Sequence, residues 1–258
     1  MGNDIVYNIE RTEKILEIIR SQNRVSVNYL ADYFNVSSTT IRTDLAKLES
    51  NGDIIRTHGG EMLKSSLHRE QLISERLHGD KKAMIASKSL ELINHGDTIL
   101  IDTGTTMLYL AQALVRSSLS KLRIFTNDIE IARILEEKEN FEIHLMGGKM
   151  RNGFHYCYGY QIIEELKKYN FEKLFIASSA VSLTHGLTTS NDDLAQIKTA
   201  MIKSSNNIIL LADSSKVNHI DFQSFAEINE VDVLIMDSDV PPQYAQKLKE
   251  CISKVILV

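Results

Sequence analysis

The feature that most constrains this chain is a pair of short amphipathic patterns separated by only three residues. Val27 to Phe34 sets Leu30, Ala31 and Phe34 on one side of a short helix, and Asn35-Val36-Ser37 interrupts it. Ser38 to Ser50 then repeats Ile41, Leu45 and Leu48 at i, i+4 and i+7, with Ser37 as a suitable N-cap. A helix before both, within Glu10 to Ser21, offers Ile15, Leu16, Ile18 and Ile19 as packing partners. Once Ile41, Leu45 and Leu48 face inward, the helical repeat decides what faces out. Thr39, Thr43, Ala46 and Ser50 form the centre of that outer face, flanked by Arg42 and Lys47. Short and basic groups on an exposed helix fit a DNA major groove, and two short helices joined by a tight turn make the helix-turn-helix arrangement.

Asn51-Gly52 ends the third helix, Asp53 to Thr57 reads as a strand, and His58-Gly59-Gly60 as a tight reversal. The pattern predicts a wing along which Arg56 and His58, with Lys64 beyond, reach phosphates or a minor groove. The candidate DNA contacts are therefore Ser37, Ser38, Thr39, Thr40, Arg42, Thr43, Lys47, Arg56 and His58. Charge limits how they work. The first sixty residues carry seven basic groups (Arg11, Lys14, Arg20, Arg24, Arg42, Lys47, Arg56) against eight acidic ones, and the chain's net charge is −5. Diffuse coating of nucleic acid is excluded, because nonspecific affinity comes from basic groups displacing phosphate counterions. Periodicity alone leaves open a plain three-helix bundle with a solvated polar face.

The run Val36-Ser37-Ser38-Thr39-Thr40-Ile41-Arg42-Thr43-Asp44-Leu45, then Leu48-Glu49-Ser50-Asn51-Gly52 and Arg56-Thr57-His58-Gly59-Gly60, resembles the DeoR family of bacterial transcription regulators. The likeness extends over almost the whole chain. It implies a repressor that joins a winged helix-turn-helix to a C-terminal sugar-phosphate-sensing domain related to sugar-phosphate isomerases, acting on operator DNA as a homodimer or homotetramer. The family commonly carries two consecutive arginines in the recognition helix, whereas Arg42 is followed here by Thr43.

The expected organisation is a DNA-binding domain over 1–60, a polar linker over 61–76 and a larger α/β domain over 77–258. In the last, short apolar strands alternate with amphipathic helices: Thr98 to Asp102, Leu122 to Thr126, Phe141 to Met146, Lys173 to Ala177, Asn207 to Ala212, Val231 to Met236 and Lys254 to Val258. Such alternation predicts a largely parallel sheet covered on both faces, with any ligand beyond the carboxyl ends of the strands. The first strand runs into Thr103-Gly104-Thr105-Thr106 and a helix over Met107 to Leu114. A hydroxyl-rich glycine loop at a helix N-terminus suits a phosphate. Other strands end at Thr126-Asn127-Asp128, at Gly147-Gly148-Lys149-Met150-Arg151 and at Asp213-Ser214-Ser215-Lys216.

In the resembled family these loops line the effector pocket. That implies a phosphorylated sugar held by Asp102, Gly104, Thr105, Thr106, Asn127, Gly148, Arg151 and Lys216. Plain turns at the glycines and helix caps at Asp and Asn are the alternative. Two departures alter the pocket: Ser179 and Leu194 stand where family members commonly carry carboxylates.

The two cysteines, Cys157 and Cys251, are far apart, and no histidine pair has metal-ligand spacing, so no metal or other cofactor is expected. His144 reads as a satisfied strand residue, His185 as loop, and Tyr156, Tyr158 and Tyr160 receive no role. With no signal-peptide pattern and no long apolar run, the expected place is the cytoplasm, with no membrane partner. A second function remains to be weighed: a sugar-phosphate isomerase with a DNA-binding appendage, using Asp102 or Asp213 with Lys216.

Overall fold

The computed structural model describes residues 11–15, 18, 26–50, 54–57, 60–63 and 78–258, and the chain divides into two compact units, Met1–Ser74 and Glu75–Val258. In the first unit, helical residues 11–15 and 18 are followed by α1 (Val27–Phe34), α2 (Ser38–Ser50) and an antiparallel pair, β1 (Ile54–Thr57) with β2 (Gly60–Leu63). Ile15, Ile18, Leu30, Ala31, Ile41, Leu45 and Leu48 form its core, with Val27, Phe34 and Val36 packed against them. The turn between α1 and α2 is built by capping. Asn35 takes a left-handed φ of 51° that ends α1, and the Ser37 hydroxyl accepts the Thr40 N–H at 3.1 Å to start α2. Residues 61–63 belong to β2 rather than to the polar linker that the sequence suggested. Register explains why: Leu63 pairs with Ile54 and Met62 with Ile55. Asp53, His58, Gly59 and Lys64 lie outside the described residues.

An ion pair that periodicity does not reveal joins the first helical stretch to α2. Arg11 Nε lies 2.6 Å from Asp44 Oδ2 and Nη2 lies 3.3 Å from Oδ1, with Asp44 only 2% exposed. Bidentate geometry satisfies both carboxylate oxygens and offsets part of the desolvation cost.

The second unit is built on seven parallel strands in the order β14-β13-β11-β8-β3-β4-β5. They are β3 (Thr98–Ile101), β4 (Arg123–Thr126), β5 (Glu142–Leu145), β8 (Lys173–Ile176), β11 (Ile208–Leu211), β13 (Val233–Met236) and β14 (Lys254–Leu257). The central strands are apolar throughout because both faces are covered. Ile99, Ile101, Ile124, Phe175, Ile209, Leu211 and Ile235 face α3 (Gly79–Ser89), α4 (Thr105–Arg116) and α5 (Ile129–Leu135). Leu100, Phe125, Leu174, Ile176, Leu210, Leu234 and Met236, alternating with them, face α6 (Tyr160–Leu166), α7 (Asp192–Lys203) and α8 (Pro242–Cys251). The α/β class and the seven parallel strands thus match the sequence reading.

Two smaller sheets were not legible in the sequence. The hairpin β6 (Lys149–Met150) with β7 (Cys157–Tyr158) follows β5, and an antiparallel sheet β12-β10-β9 joins β9 (Ala180–Ser182), β10 (Gly186–Thr189) and β12 (Gln223–Ala226). Every residue of β10 is buried although two are threonines, so no alternation marks it as a strand. Gly186 opens it at φ 65°, where an added Cβ would lie 2.0 Å from the Ala226 carbonyl oxygen.

Connections run from β3 outward through β4 to β5, then return to β8 on the other side of β3 and continue outward through β11, β13 and β14. The direction of winding therefore reverses between β3 and β8. Sheets of this kind bind ligands at that reversal, beyond the carboxyl ends of the strands.

Arg11→Met should destabilise the first unit by on the order of 3 kcal/mol, since the Asp44 carboxylate is left buried and unpaired, and Arg11→Met with Asp44→Leu should recover most of the loss. Denaturant titration read by amide exchange in residues 26–50 checks both expectations.

Candidate functional site

At the winding reversal the ends of β3 and β8 are held together by a buried ion pair. Asp102, fully buried just past β3, accepts the Ala177 N–H at 3.1 Å through Oδ2. The same oxygen accepts a hydrogen bond from Lys198 Nζ, which also donates to the Ala177 carbonyl at 2.9 Å and sits 5.4 Å from the centroid of the Phe225 ring. Lys198 comes from α7 and is 3% exposed. Asp102 Oδ1 has no hydrogen-bond partner among the described residues. A buried acceptor left in that state costs about 1–3 kcal/mol, and an added O–H donor recovers that cost.

Gly104 follows at φ 131° and caps α4 without any side-chain hydrogen bond, so the first-turn N–H groups of that 12-residue helix point outward unspent. A Cβ at Gly104 would lie 3.5 Å from the Ala177 methyl, and its φ would strain any L side chain. Thr105 is half-buried and Thr106 buried. Thr103 is committed elsewhere, its hydroxyl donating to Asp128 Oδ2 at 2.6 Å.

Asp128 caps α5 through Oδ1, which accepts from Glu130 N at 3.0 Å and Ile131 N at 3.2 Å. Burial pushes its carboxyl up to about 6, against the pull of the Thr103 hydroxyl and the two N–H groups, and the nearby Asp102 charge adds to the rise. Asn127 is fully buried. Its Nδ2 donates to the Cys157 carbonyl at 2.8 Å, the Cys157 N–H returns to the Asn127 carbonyl at 2.7 Å, and Oδ1 has no partner among the described residues.

Those bonds fold the β6–β7 hairpin over the end of β4. Gly148 is glycine for a packing reason, because a Cβ there would lie 2.5 Å from the Tyr158 carbonyl oxygen. The hairpin carries Arg151, whose guanidinium lies 5.0 Å from the Phe154 ring centroid and whose side chain also hydrogen-bonds Tyr156. The Tyr156 phenol is pushed up to about 12, by burial first and by the charges of Asp102 and Asp193 as well, with Arg151 opposing. The hairpin thus brings Tyr156 into the electrostatic reach of Asp102, with Arg151 beside it.

Lys216 is placed differently. It closes a 3-10 turn, Ser214–Lys216, after β11, on the far side of β8 from β3. No hydrogen bond or ion pair joins it to the Asp102 group among the described residues. Asp213 is buried and spends Oδ1 on the Ser215 N–H and hydroxyl. At the departures, Ser179 is exposed with its hydroxyl 3.4 Å from that of Thr189, and Leu194 lies one turn before Lys198 on the same face of α7. A carboxylate at 194 would compete for Lys198; leucine leaves Asp102 as its carboxylate partner.

Lys198, Asp128 and Tyr156 were missed by sequence reasoning. Lys198 had a signal: it falls between Ala195 and Met201 in the buried stripe of α7, where a charge has to be paired.

On α2 of the first unit, Thr39, Arg42, Thr43 and Lys47 are exposed, opposite the buried Ile41, Leu45 and Leu48. Ser38 is half-buried. Ser37 and Thr40 cap the helix, and the Thr43 hydroxyl donates to the Thr39 carbonyl at 3.0 Å. That leaves Arg42 and Lys47 as the exposed cations of the face. Arg56 lies on β1 and His58 outside the described residues. Tyr29 and Tyr33, exposed on α1 with ring centroids 6.1 Å apart, add an aromatic surface.

The chain matches the DeoR-like helix-turn-helix domain over residues 11–66 and the DeoR C terminal sensor domain over residues 77–238. It is 35% identical over 234 residues to the HTH-type transcriptional repressor GlcR of Bacillus subtilis, covering 90% of this chain and 89% of that one. It is 32% identical over 244 residues to the lactose phosphotransferase system repressor of Lactococcus lactis subsp. lactis, covering 93% and 95%. A putative aga operon transcriptional repressor of Escherichia coli O157:H7 is 32% identical over 253 residues, covering 96% and 93%. Among solved structures, ribose 5-phosphate isomerase A from Neisseria gonorrhoeae is similar at 16% identity and a TM-score of 0.39, over 53% of this chain and 52% of that one, too slight a likeness to bear on chemistry.

Fold, site and relatives together define a DNA-binding transcription regulator with an N-terminal reading head and a C-terminal sensor. The chain belongs to the DeoR family. Among the described residues no helix is long and apolar enough to cross a membrane, and no group of three or more His, Cys, Asp or Glu is placed to hold a metal ion.

Asp128 generates a pH prediction. Its folded-state value of about 6 stands above the ordinary 3.8, so the native state holds the extra proton between the two. Stability should therefore fall as pH rises from about 4 to 6 and level off beyond, by roughly 1–3 kcal/mol. Asp128→Asn, which keeps an acceptor for the α5 N–H groups, should flatten that window in denaturant titrations run across pH.

Proposed function

We propose that this chain represses genes of sugar uptake or breakdown, and that a phosphorylated sugar bound beyond β3 and β8 controls its grip on the operator. The carrying observation is the uncapped N-terminus of α4, opened by Gly104, beside the buried Asp102–Lys198 pair at the winding reversal. Free N–H groups and the positive end of the helix suit a phosphate dianion, with Thr105 and Thr106 adding hydroxyl donors. Arg151 adds a cation from the hairpin, and Lys216 a further one from the β11 loop. Asp102 Oδ1 and Asn127 Oδ1, both short of donors, suit a ligand rich in hydroxyls. Gly104 and Gly148 let backbone come close. The relatives named as sugar-linked repressors support the same reading.

On the DNA side, Thr39, Arg42, Thr43 and Lys47 present the reading face, Ser37, Ser38 and Thr40 orient its start, and Arg56 and His58 belong to the wing. A module this close to neutral gains enough affinity by acting as a symmetric pair on two half-sites, so a homodimer or a dimer of dimers in the cytoplasm is part of the proposal. The isomerase reading gains nothing from the site: Asp213 is spent on Ser215, Asp102 on Lys198 and Ala177, and Lys216 touches neither carboxylate.

Arg42→Ala should leave the fold and the sensor unit intact and weaken binding to the chain's own promoter DNA by about 1–3 kcal/mol or more. Footprinting on that DNA checks it. A footprint unchanged at the same protein concentration would contradict the assignment of α2.

A further inference from the structure

The sensor unit begins at α3, and two elements of the proposed ligand site bear on its first turn. Lys81 Nζ lies 2.8 Å from Asp237 Oδ1 and 2.7 Å from Asp239 Oδ2, and donates to the Ser214 hydroxyl at 3.0 Å. Asp237 in turn accepts the Ser214 N–H at 2.5 Å and its hydroxyl at 2.7 Å. Ser214 lies in the loop that carries Lys216. The second element is α4, whose N-terminus is the phosphate cradle. A Cβ on Gly79 would lie 2.8 Å from the Tyr109 hydroxyl, so the start of α3 sits directly against α4 one turn below Thr105.

The two halves of α3 are anchored differently. Its later turns are fixed by Ile85 and Ala86 in the core; in its first turns Lys82 is buried, and residues 79–81, half-buried or exposed, meet the rest of the unit through Lys81 and Gly79. His78, at a left-handed φ of 58°, is where the chain turns into the helix. Lys81 and Asp237 each stabilise the other's charged form, raising the one and lowering the other from their ordinary values. An apolar contact slides at little cost; an ammonium held between two carboxylates and a serine hydroxyl is fixed by direction as well as by distance.

We propose that Lys81 is the positioning residue through which the Ser214–Lys216 loop sets the first turn of α3, and through it the response of operator binding to ligand. The inference rests on the reading that this end of the sheet receives a phosphorylated sugar. Ligand that draws the loop or α4 inward changes where Ser214 and Asp237 hold Lys81, and the chain enters the helix at a different angle. Neither the DNA face nor the ligand contacts include Lys81, so its removal uncouples the two without removing either.

The test uses the full chain, duplexes selected from a random pool by the wild-type protein, and four probes: glucose 6-phosphate, galactose 6-phosphate, fructose 6-phosphate and ribose 5-phosphate. In the wild type at least one probe should change operator Kd by about tenfold, within the usual range of coupling between two sites. Lys81→Met should bind operator without probe, and bind the probe itself, within about twofold of wild type, while the probe's effect on operator Kd falls below about twofold. Lys81→Arg should restore most of the effect. If Lys81→Met fails to melt cooperatively, Lys81→Gln is measured in its place with the same expectations. A Lys81→Met response as large as that of the wild type overturns the relay and leaves the sugar-phosphate reading standing. A wild type that binds operator but answers to none of the four probes overturns both.

Discussion

A parallel sheet whose winding changes direction parts two sets of connections, and the strands on either side of the parting lack a shared crossover to hold their ends. Here the gap lies between β3 and β8, and Lys198 of α7 reaches into it to bind Asp102 on one side and Ala177 on the other. A buried ion pair adds little net stability against apolar packing of the same volume. What it supplies is definition: past the last ladder bond, from the Asp102 N–H to the Phe175 carbonyl, one ammonium satisfied by one carboxylate and one carbonyl ties together the chain leaving β3 and the chain leaving β8. Gly104 and the start of α4 follow directly from that tie, while the hairpin carrying Arg151 is placed by the Asn127–Cys157 bonds at the end of β4.

The same economy governs the reading head. Its core is seven apolar side chains, and the Arg11–Asp44 pair holds the first helical stretch onto α2. With Ser37, Thr40 and Thr43 partly engaged in holding the helix itself, the proposed reading face offers Arg42 and Lys47 as its exposed cations. In the homodimer proposed above, few phosphate contacts mean a shallow salt dependence per subunit, and specificity that depends on the spacing of two heads rather than on one.

Much of this was legible in the residues. Ile41, Leu45 and Leu48 declare their helix because one side of a 3.6-residue repeat has to be apolar, and the parallel strands declare themselves as apolar runs because both faces are covered. The helix start after the glycine loop of β3 was legible for the same local reason, and α4 begins at Thr105 with Gly104 as its cap. What escaped notice was set by distant partners. Thr188 and Thr189 are buried in β10 because Asp221, Ser179, Ser224 and Gln223 come to them from elsewhere in the chain. Gly148 looked like part of a pocket and is first of all room for the Tyr158 carbonyl. Lys198 drew no notice in the sequence, because its partner Asp102 lies 96 residues away. Pairing across that distance leaves no local pattern beyond a charge in an apolar stripe.

The central claim, that the end of the sheet at β3 and β8 receives a phosphorylated sugar, is tested most directly by thermal unfolding of the protein with hexose 6-phosphates and, in parallel, with the same sugars unphosphorylated. Ligand at a hundredfold excess over Kd should raise Tm by about 5 °C. The account predicts that rise for at least one phosphorylated sugar, none for its parent, and its loss in Gly104→Val, whose side chain would strain the mouth of α4. An equal rise with the parent sugar, or a full rise retained in Gly104→Val, would contradict it.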